Sequence, residues 1–107
     1  MTISYRKKLH IDIETFSDAD IKAGVYKYVD AQLFRILLFA YAYDDGPVQV
    51  IDLAQGEDLP QQLVDDLTDP SVLKTAFNAQ FERVALDKSI GAKTGPWECT
   101  MIHAWEL

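Results

Sequence analysis

Apolar and polar residues alternate along LHIDIET at positions 9–15, which is the period-two pattern of a strand with two different faces. Side chains two apart on a strand point the same way. One face therefore carries Leu9, Ile11 and Ile13, and the other carries His10, Asp12 and Glu14. The apolar face is suited to a protein core, so the two carboxylates on the opposite face require a separate explanation.

Further along the chain, two β-branched and aromatic runs flank Asp45–Gly46, a strong hairpin signal, and predict paired antiparallel strands at Arg35–Tyr43 and Pro47–Leu53. The segment 16–30, which contains Gly24, is expected to form a loop with a short helical turn. The remaining elements are an amphipathic helix over 59–67 with Asp58 as its N-cap, a strand over 71–77, a helix over 78–90, a brief strand over 96–101 and the start of a helix over 102–107.

This order of elements predicts an α/β fold. The first three strands should be antiparallel and the later ones should join by parallel crossovers, which gives a mixed sheet with helices packed on it. The chain has 107 residues, 49% of them hydrophobic, and shows no internal repeat. We therefore expect residues 1–107 to form a single domain.

Composition narrows the function classes. No stretch is apolar enough for a membrane span and the N-terminus lacks a signal-peptide core, so the chain is expected to be soluble, cytoplasmic and without a membrane partner. Cys99 is the only cysteine, which excludes an internal disulfide. The net charge of −7 is unusual for a nucleic-acid-binding domain, so cations would have to help neutralise any such contact.

The acidic pair of the first strand has two interpretations. Asp12 and Glu14 lie roughly 7 Å apart at Cα, close enough to share a metal cluster. An isolated D-x-E pair is more often only a solvated strand face. Acids grouped on a central strand repel each other unless a divalent cation compensates, and Mg²⁺ or Mn²⁺ is the natural partner of hard oxygen ligands.

A second candidate stretch, TAFNAQFERVAL at residues 75–86, passes from strand to helix. It places Asn78, Phe81 and Glu82 near the first turn of that helix. Each has a simpler explanation: Asn78 as a cap, Phe81 as core, and Glu82 as an acid favoured by the helix dipole, worth about 0.3–1 kcal/mol. Their joint arrangement with the first strand is harder to explain without a site.

HIDIET, followed about 65 residues later by FNAQFE, resembles the first two motifs of the DEDD 3′–5′ exonucleases, which have an RNase H-like fold. LHIDIETFSD, GVYKYV, ILLFAYAYDDGPVQVIDLA, KTAFNAQFERVAL and WECTMIHAWEL together resemble the N-terminal exonuclease region of phage-type family A DNA polymerases. The resemblance spans nearly the whole chain.

The resemblance implies a role for each matching position. Asp12, Glu14 and Glu82 would be the catalytic acids and would bind two Mg²⁺ or Mn²⁺ ions. The single-stranded 3′ end of DNA would contact Thr15, Phe16, Asn78 and Phe81. The implied reaction is two-metal hydrolysis of the 3′-terminal phosphodiester during proofreading in a bacterial or phage-infected cell.

Two departures qualify this expectation. Glu82 replaces the usual aspartate of the second motif, which lengthens the ligand arm by one methylene. The third motif would lie beyond Leu107, so residues 1–107 are expected to be a partial exonuclease domain, inactive or severely impaired without the downstream polymerase portion. Bare apolar surface near Trp105 and Leu107 would then favour self-association.

Two alternative functions stay open from the sequence. One is a noncatalytic RNase H-like interaction module whose acids bind no metal. The other is a DEDD nuclease that degrades oligonucleotides outside replication, for which the same two motifs would be expected.

Overall fold

The computed structural model describes residues 5–100 and shows a five-stranded mixed sheet with helices packed on it. The strands are β1 (Lys7–Phe16), β2 (Arg35–Tyr43), β3 (Gln49–Asp52), β4 (Val72–Ala76) and β5 (Trp97–Cys99). The helices are α1 (Val25–Asp30), α2 (Gln61–Thr68) and α3 (Ala79–Ile90), with short 3₁₀ turns at Ile21–Ala23 and Leu53–Gln55. The helix predicted over 102–107, with Trp105 and Leu107, lies outside the described residues.

The strands lie side by side in the order β3-β2-β1-β4-β5. The β1–β2 and β2–β3 pairs are antiparallel, whereas β1–β4 and β4–β5 are parallel. Parallel neighbours need a crossover, and α2 and α3 each supply one. The predicted mixed sheet, with antiparallel strands first and parallel crossovers after them, is confirmed.

The two faces of β1 also match the prediction. Leu9, Ile11 and Ile13 are at most 8% exposed and belong to the main hydrophobic cluster. Asp12 and Glu14 are exposed on the opposite face. One irregularity interrupts the ladder, because Glu14 pairs with Leu38 whereas Thr15 pairs with Ile36, which leaves Leu37 as an extra residue in β2.

Some element boundaries differ from the sequence-based expectation. β3 begins at Gln49 rather than Pro47, since Pro47 has no N–H for the ladder. Asp58 does not cap α2: the helix begins at Gln61, the N-cap position is Pro60, and no side chain caps it. The Asp45–Gly46 turn is present, with the Gly46 N–H donating to the Tyr43 carbonyl at 2.7 Å.

Two buried polar groups make contacts that the sequence patterns did not predict. Asp66 on α2 is 1% exposed, forms ion pairs with Arg6 and Lys7, and accepts a hydrogen bond from the Tyr43 hydroxyl. Lys74 on β4 is fully buried, and its ammonium donates to three backbone carbonyls, those of Asp69, Val72 and Gly95. Burial lowers the pKa of Lys74 to about 8.

Among the described residues, no helix is both long and apolar enough to cross a membrane.

Candidate active site

Glu82 is the central group of the candidate site. It lies in the first turn of α3 and is 6% exposed, although it is a glutamate. Its Oε2 atom is buried without any hydrogen-bond partner, the only such side-chain atom among the described residues. A buried carboxylate oxygen without a donor is costly, so this position requires either a proton or a cation.

The pKa of Glu82 is influenced by a second acid, Asp12. The pKa of the Glu82 carboxyl is raised to about 7, mainly by burial. A hydrogen bond from its own backbone N–H lowers the pKa, and the negative charge of Asp12 raises it further. The two acids therefore interact, although they are 70 positions apart in the sequence. An acid whose charged form is disfavoured by burial and by a second acid is typical of sites that bind a divalent cation or carry out proton transfer.

Glu14 is exposed beside Asp12 on the same face of β1. Within residues 5–100, no three His, Cys, Asp or Glu side chains are gathered closely enough to hold a metal ion by themselves. Mg²⁺ usually binds through one or two carboxylates together with waters and substrate phosphates. The unpartnered Glu82 oxygen and the neighbouring Asp12 fit a divalent cation of that kind, and Glu14 lies on the face where a further ligand would be needed.

Two grooves lie on the surface near β1, and Asp12 lines the first of them. One, of about 260 Å³, follows the exposed face of β1 and β2, where His10, Asp12 and Val48 are among its lining residues. The His10 Nδ1 lies 2.6 Å from the Thr75 Oγ1, so this ring is held against β4. The second, of about 330 Å³, lies at the end of β1 and is lined by Phe16, Gln32, Leu33, Phe34 and Arg35.

The four predicted nucleotide-contacting residues occupy different environments. Phe16 is 45% exposed at the second groove, with the Arg35 guanidinium 5.8 Å from its ring centroid. Asn78 is exposed at the N-cap position of α3, but its side chain makes no capping hydrogen bond and is thus available for another partner. Thr15 and Phe81 are half-buried. Phe16 and Asn78 therefore present the more accessible side chains.

Thr15 and Phe81 share a neighbour for which the sequence analysis gave no role. The Tyr28 hydroxyl lies 2.9 Å from the Thr15 Oγ1, and the Tyr28 and Phe81 ring centroids are 5.8 Å apart. In sequence, the available signal was an aromatic residue in the short VYKYVD segment, whose pattern did not distinguish Tyr28 from Tyr26. The structure distinguishes them, since Tyr26 is 57% exposed.

Comparison with known proteins relates the chain to a phage DNA polymerase and to exonucleases of known structure. The chain is 54% identical over 104 residues to the DNA polymerase of Bacillus phage SP02, an alignment that covers 94% of this chain. The chain is similar in sequence to part of this phage DNA polymerase. It spans 16% of that relative's length. No family model matches the chain.

Solved structures of exonucleases share the fold of this chain. Brucella melitensis NrnC bound to pGG is 24% identical, with a TM-score of 0.69 over 95% of this chain and 45% of that chain. NrnC with bound Mg²⁺ gives a TM-score of 0.67 at 24% identity, over 92% of this chain and 44% of that one. The EXD2 exonuclease domain soaked in Mn and GMP gives 0.61 at 19% identity, over 92% of this chain and 45% of that one. The expected RNase H-like exonuclease fold is confirmed.

Proposed function

We propose that residues 1–107 form part of the 3′–5′ exonuclease region of a DNA polymerase and that Asp12, Glu14 and Glu82 bind its divalent cations. The buried Glu82 Oε2, which has no hydrogen-bond partner and lies under the influence of Asp12, is the observation that carries this proposal. The homology to a phage polymerase and the metal-soaked or metal-bound structural relatives support it.

In this proposal the acids bind metal and do not attack phosphorus themselves. Bound Mg²⁺ or Mn²⁺ would activate a water and stabilise the leaving 3′-oxygen of the terminal nucleotide. Before metal binds, Glu82 holds a proton over part of the neutral range, because the pKa of its carboxyl is about 7. Metal binding therefore requires that proton to leave, so affinity should increase as the pH rises through 7.

The terminal nucleotide would lie at the end of β1, between Phe16 and Asn78. Phe16 offers an exposed ring for base stacking, worth about 1–3 kcal/mol per base in single-strand binders. Thr15 and Phe81 lie behind these residues in our proposal. For a chain of net charge −7, bound cations would also reduce repulsion of the DNA phosphates.

A Mn²⁺ titration tests the metal assignment directly. We expect binding at pH 8 to broaden the NMR signals of Asp12, Glu14 and Glu82 before those of other acids, and Glu82→Gln or Asp12→Asn to weaken it at least tenfold. Asp58→Asn, at an exposed acid before α2, is the matched control and should leave the affinity unchanged. Broadening confined to exposed acids elsewhere would refute the proposal.

The nucleotide contacts need a separate measurement, made with a fluorescent single-stranded DNA and the metal-bound protein. Phe16→Leu should weaken binding about tenfold, whereas Tyr26→Leu, at another exposed aromatic, should not. Equal effects of the two substitutions would show that Phe16 has no special role.

A nuclease of short oligonucleotides is the second candidate function, because the NrnC relative was solved with pGG. The same binding assay separates the two functions. A dinucleotide that binds as tightly as a longer single strand would favour this alternative, whereas affinity that increases with strand length favours the exonuclease region. Self-association of the chain stays a prediction, and sedimentation at high concentration tests it.

A further inference from the structure

The Tyr28 side chain contacts the sequence neighbours of both parts of the proposed metal site. Its hydroxyl lies 2.9 Å from Thr15 Oγ1, and Thr15 directly follows Glu14. Its ring packs against Phe81 with centroids 5.8 Å apart, and Phe81 directly precedes Glu82. One side chain on α1 therefore connects the end of β1 to the first turn of α3.

Tyr28 is itself held in place from several directions. The Ser17 hydroxyl donates to the Tyr28 carbonyl at 2.7 Å, and the Lys88 ammonium donates to the adjacent Val29 carbonyl at 2.8 Å. The Phe34 ring meets the Tyr28 ring edge-on at 5.8 Å. These contacts hold α1 against the end of β1, the segment before β2, and α3, although α1 has only six residues and would not be stable alone.

Such an element matters here because β1 and α3 carry acids that must act together. Among the described residues, no hydrogen bond joins the side chains of Asp12 and Glu82, and Glu82 Oε2 has no hydrogen-bond partner at all. Their separation is therefore set by how the backbones of β1 and α3 are held. Groups that orient metal ligands from behind commonly change metal affinity about 10–100-fold when removed.

We propose that Tyr28 is a positioning residue that fixes the spacing between the acids of β1 and Glu82, through its hydroxyl contact with Thr15 and its ring contact with Phe81. This inference rests on the proposed metal site. It assigns a role in that site to a residue that touches neither the metal nor the substrate.

The test compares two tyrosines on the same helix. Tyr28→Phe removes only the hydroxyl and keeps the ring contacts, and Tyr26→Phe removes the hydroxyl of an exposed neighbour. We expect Tyr28→Phe to weaken Mn²⁺ binding at pH 8 about tenfold, whereas Tyr26→Phe changes it less than twofold. Thr15→Val removes the other half of the hydroxyl pair and should give the same loss, and the double variant should lose no more than either single variant.

A purely structural role for Tyr28 predicts a different result. In that case Tyr28→Phe would lower the melting temperature while the Mn²⁺ affinity of the folded protein stayed at the wild-type value, which would refute positioning and leave the metal proposal intact. If the wild-type protein itself bound no Mn²⁺ through Glu82, the proposed function would fail first, and the role of Tyr28 would fall with it. The two failures are therefore distinguishable from one series of titrations.

Discussion

Replacement of Glu82 by glutamine should stabilise the metal-free protein at alkaline pH. The pKa of this carboxyl is raised from its ordinary 4.5 to about 7, mainly by burial. Between pH 4.5 and pH 7 the Glu82 carboxyl holds a proton in the folded protein but not in the unfolded protein. The free energy of unfolding therefore falls as the pH rises through this range, and the loss is complete above pH 7. At about 1.36 kcal/mol per pH unit, the loss amounts to about 3 kcal/mol.

Glutamine has nearly the same shape and no charge, so Glu82→Gln avoids that loss. The free energy of unfolding of both proteins would be measured by urea denaturation in EDTA at pH 4.5 and at pH 8. Between these pH values, the variant should gain about 3 kcal/mol of stability relative to the wild type. Other groups titrate over this range, but their effects are common to both proteins and cancel in the comparison. A difference that did not change with pH would show that Glu82 is already ionised or solvated in the folded protein, and would refute the reasoning.

Three further predictions concern the same fold. Added Mg²⁺ should stabilise the wild type at pH 8 by about 1.4 kcal/mol when its concentration is ten times the wild-type Kd, and should stabilise Glu82→Gln by about 0.4 kcal/mol or less. Equal stabilisation of both proteins in a thermal melt would show that the ion binds elsewhere. Lys74→Met should lower the free energy of unfolding in urea by about 3 kcal/mol, because three backbone carbonyls lose their donor. An unchanged free energy of unfolding would mean that water replaces the ammonium. Tyr43→Phe should lower the free energy of unfolding by about 1–2 kcal/mol, since buried Asp66 loses a hydrogen-bond donor while keeping its ion pairs. An unchanged free energy of unfolding would contradict this prediction.

Alternating patterns predicted the sheet well because burial on one face is a periodic property of the sequence. The buried face of β1 and the turn at Asp45–Gly46 were both correctly predicted. The cap of α2 was not, since Asp58 was available as a capping residue but the chain enters the helix through Pro60.

The contacts that pattern analysis missed are pairwise and long-range. Lys74 looks out of place in an apolar strand until the carbonyls of Asp69 and Gly95 are seen around its ammonium. The candidate acids were identified from the sequence, but a resemblance to known motifs, and not their periodicity, indicated that they act together. The burial of Glu82 and its interaction with Asp12 depend on how α3 packs, which no local pattern shows.

The extra residue in β2, Leu37, divides β1 into two segments whose pairing registers with β2 are set separately. Asp12 and Glu14 precede the shift and pair with Ala40 and Leu38, whereas Thr15 and Phe16 follow it. One residue added to or removed from a strand moves every side chain beyond it to the other face of the sheet. A length change elsewhere in β2 would therefore change the pairing of both segments of β1. At Leu37 the ladder already accommodates such a change. Related chains could therefore gain or lose a residue there and alter the end of β1 that carries Thr15 and Phe16 while Asp12 and Glu14 keep their register.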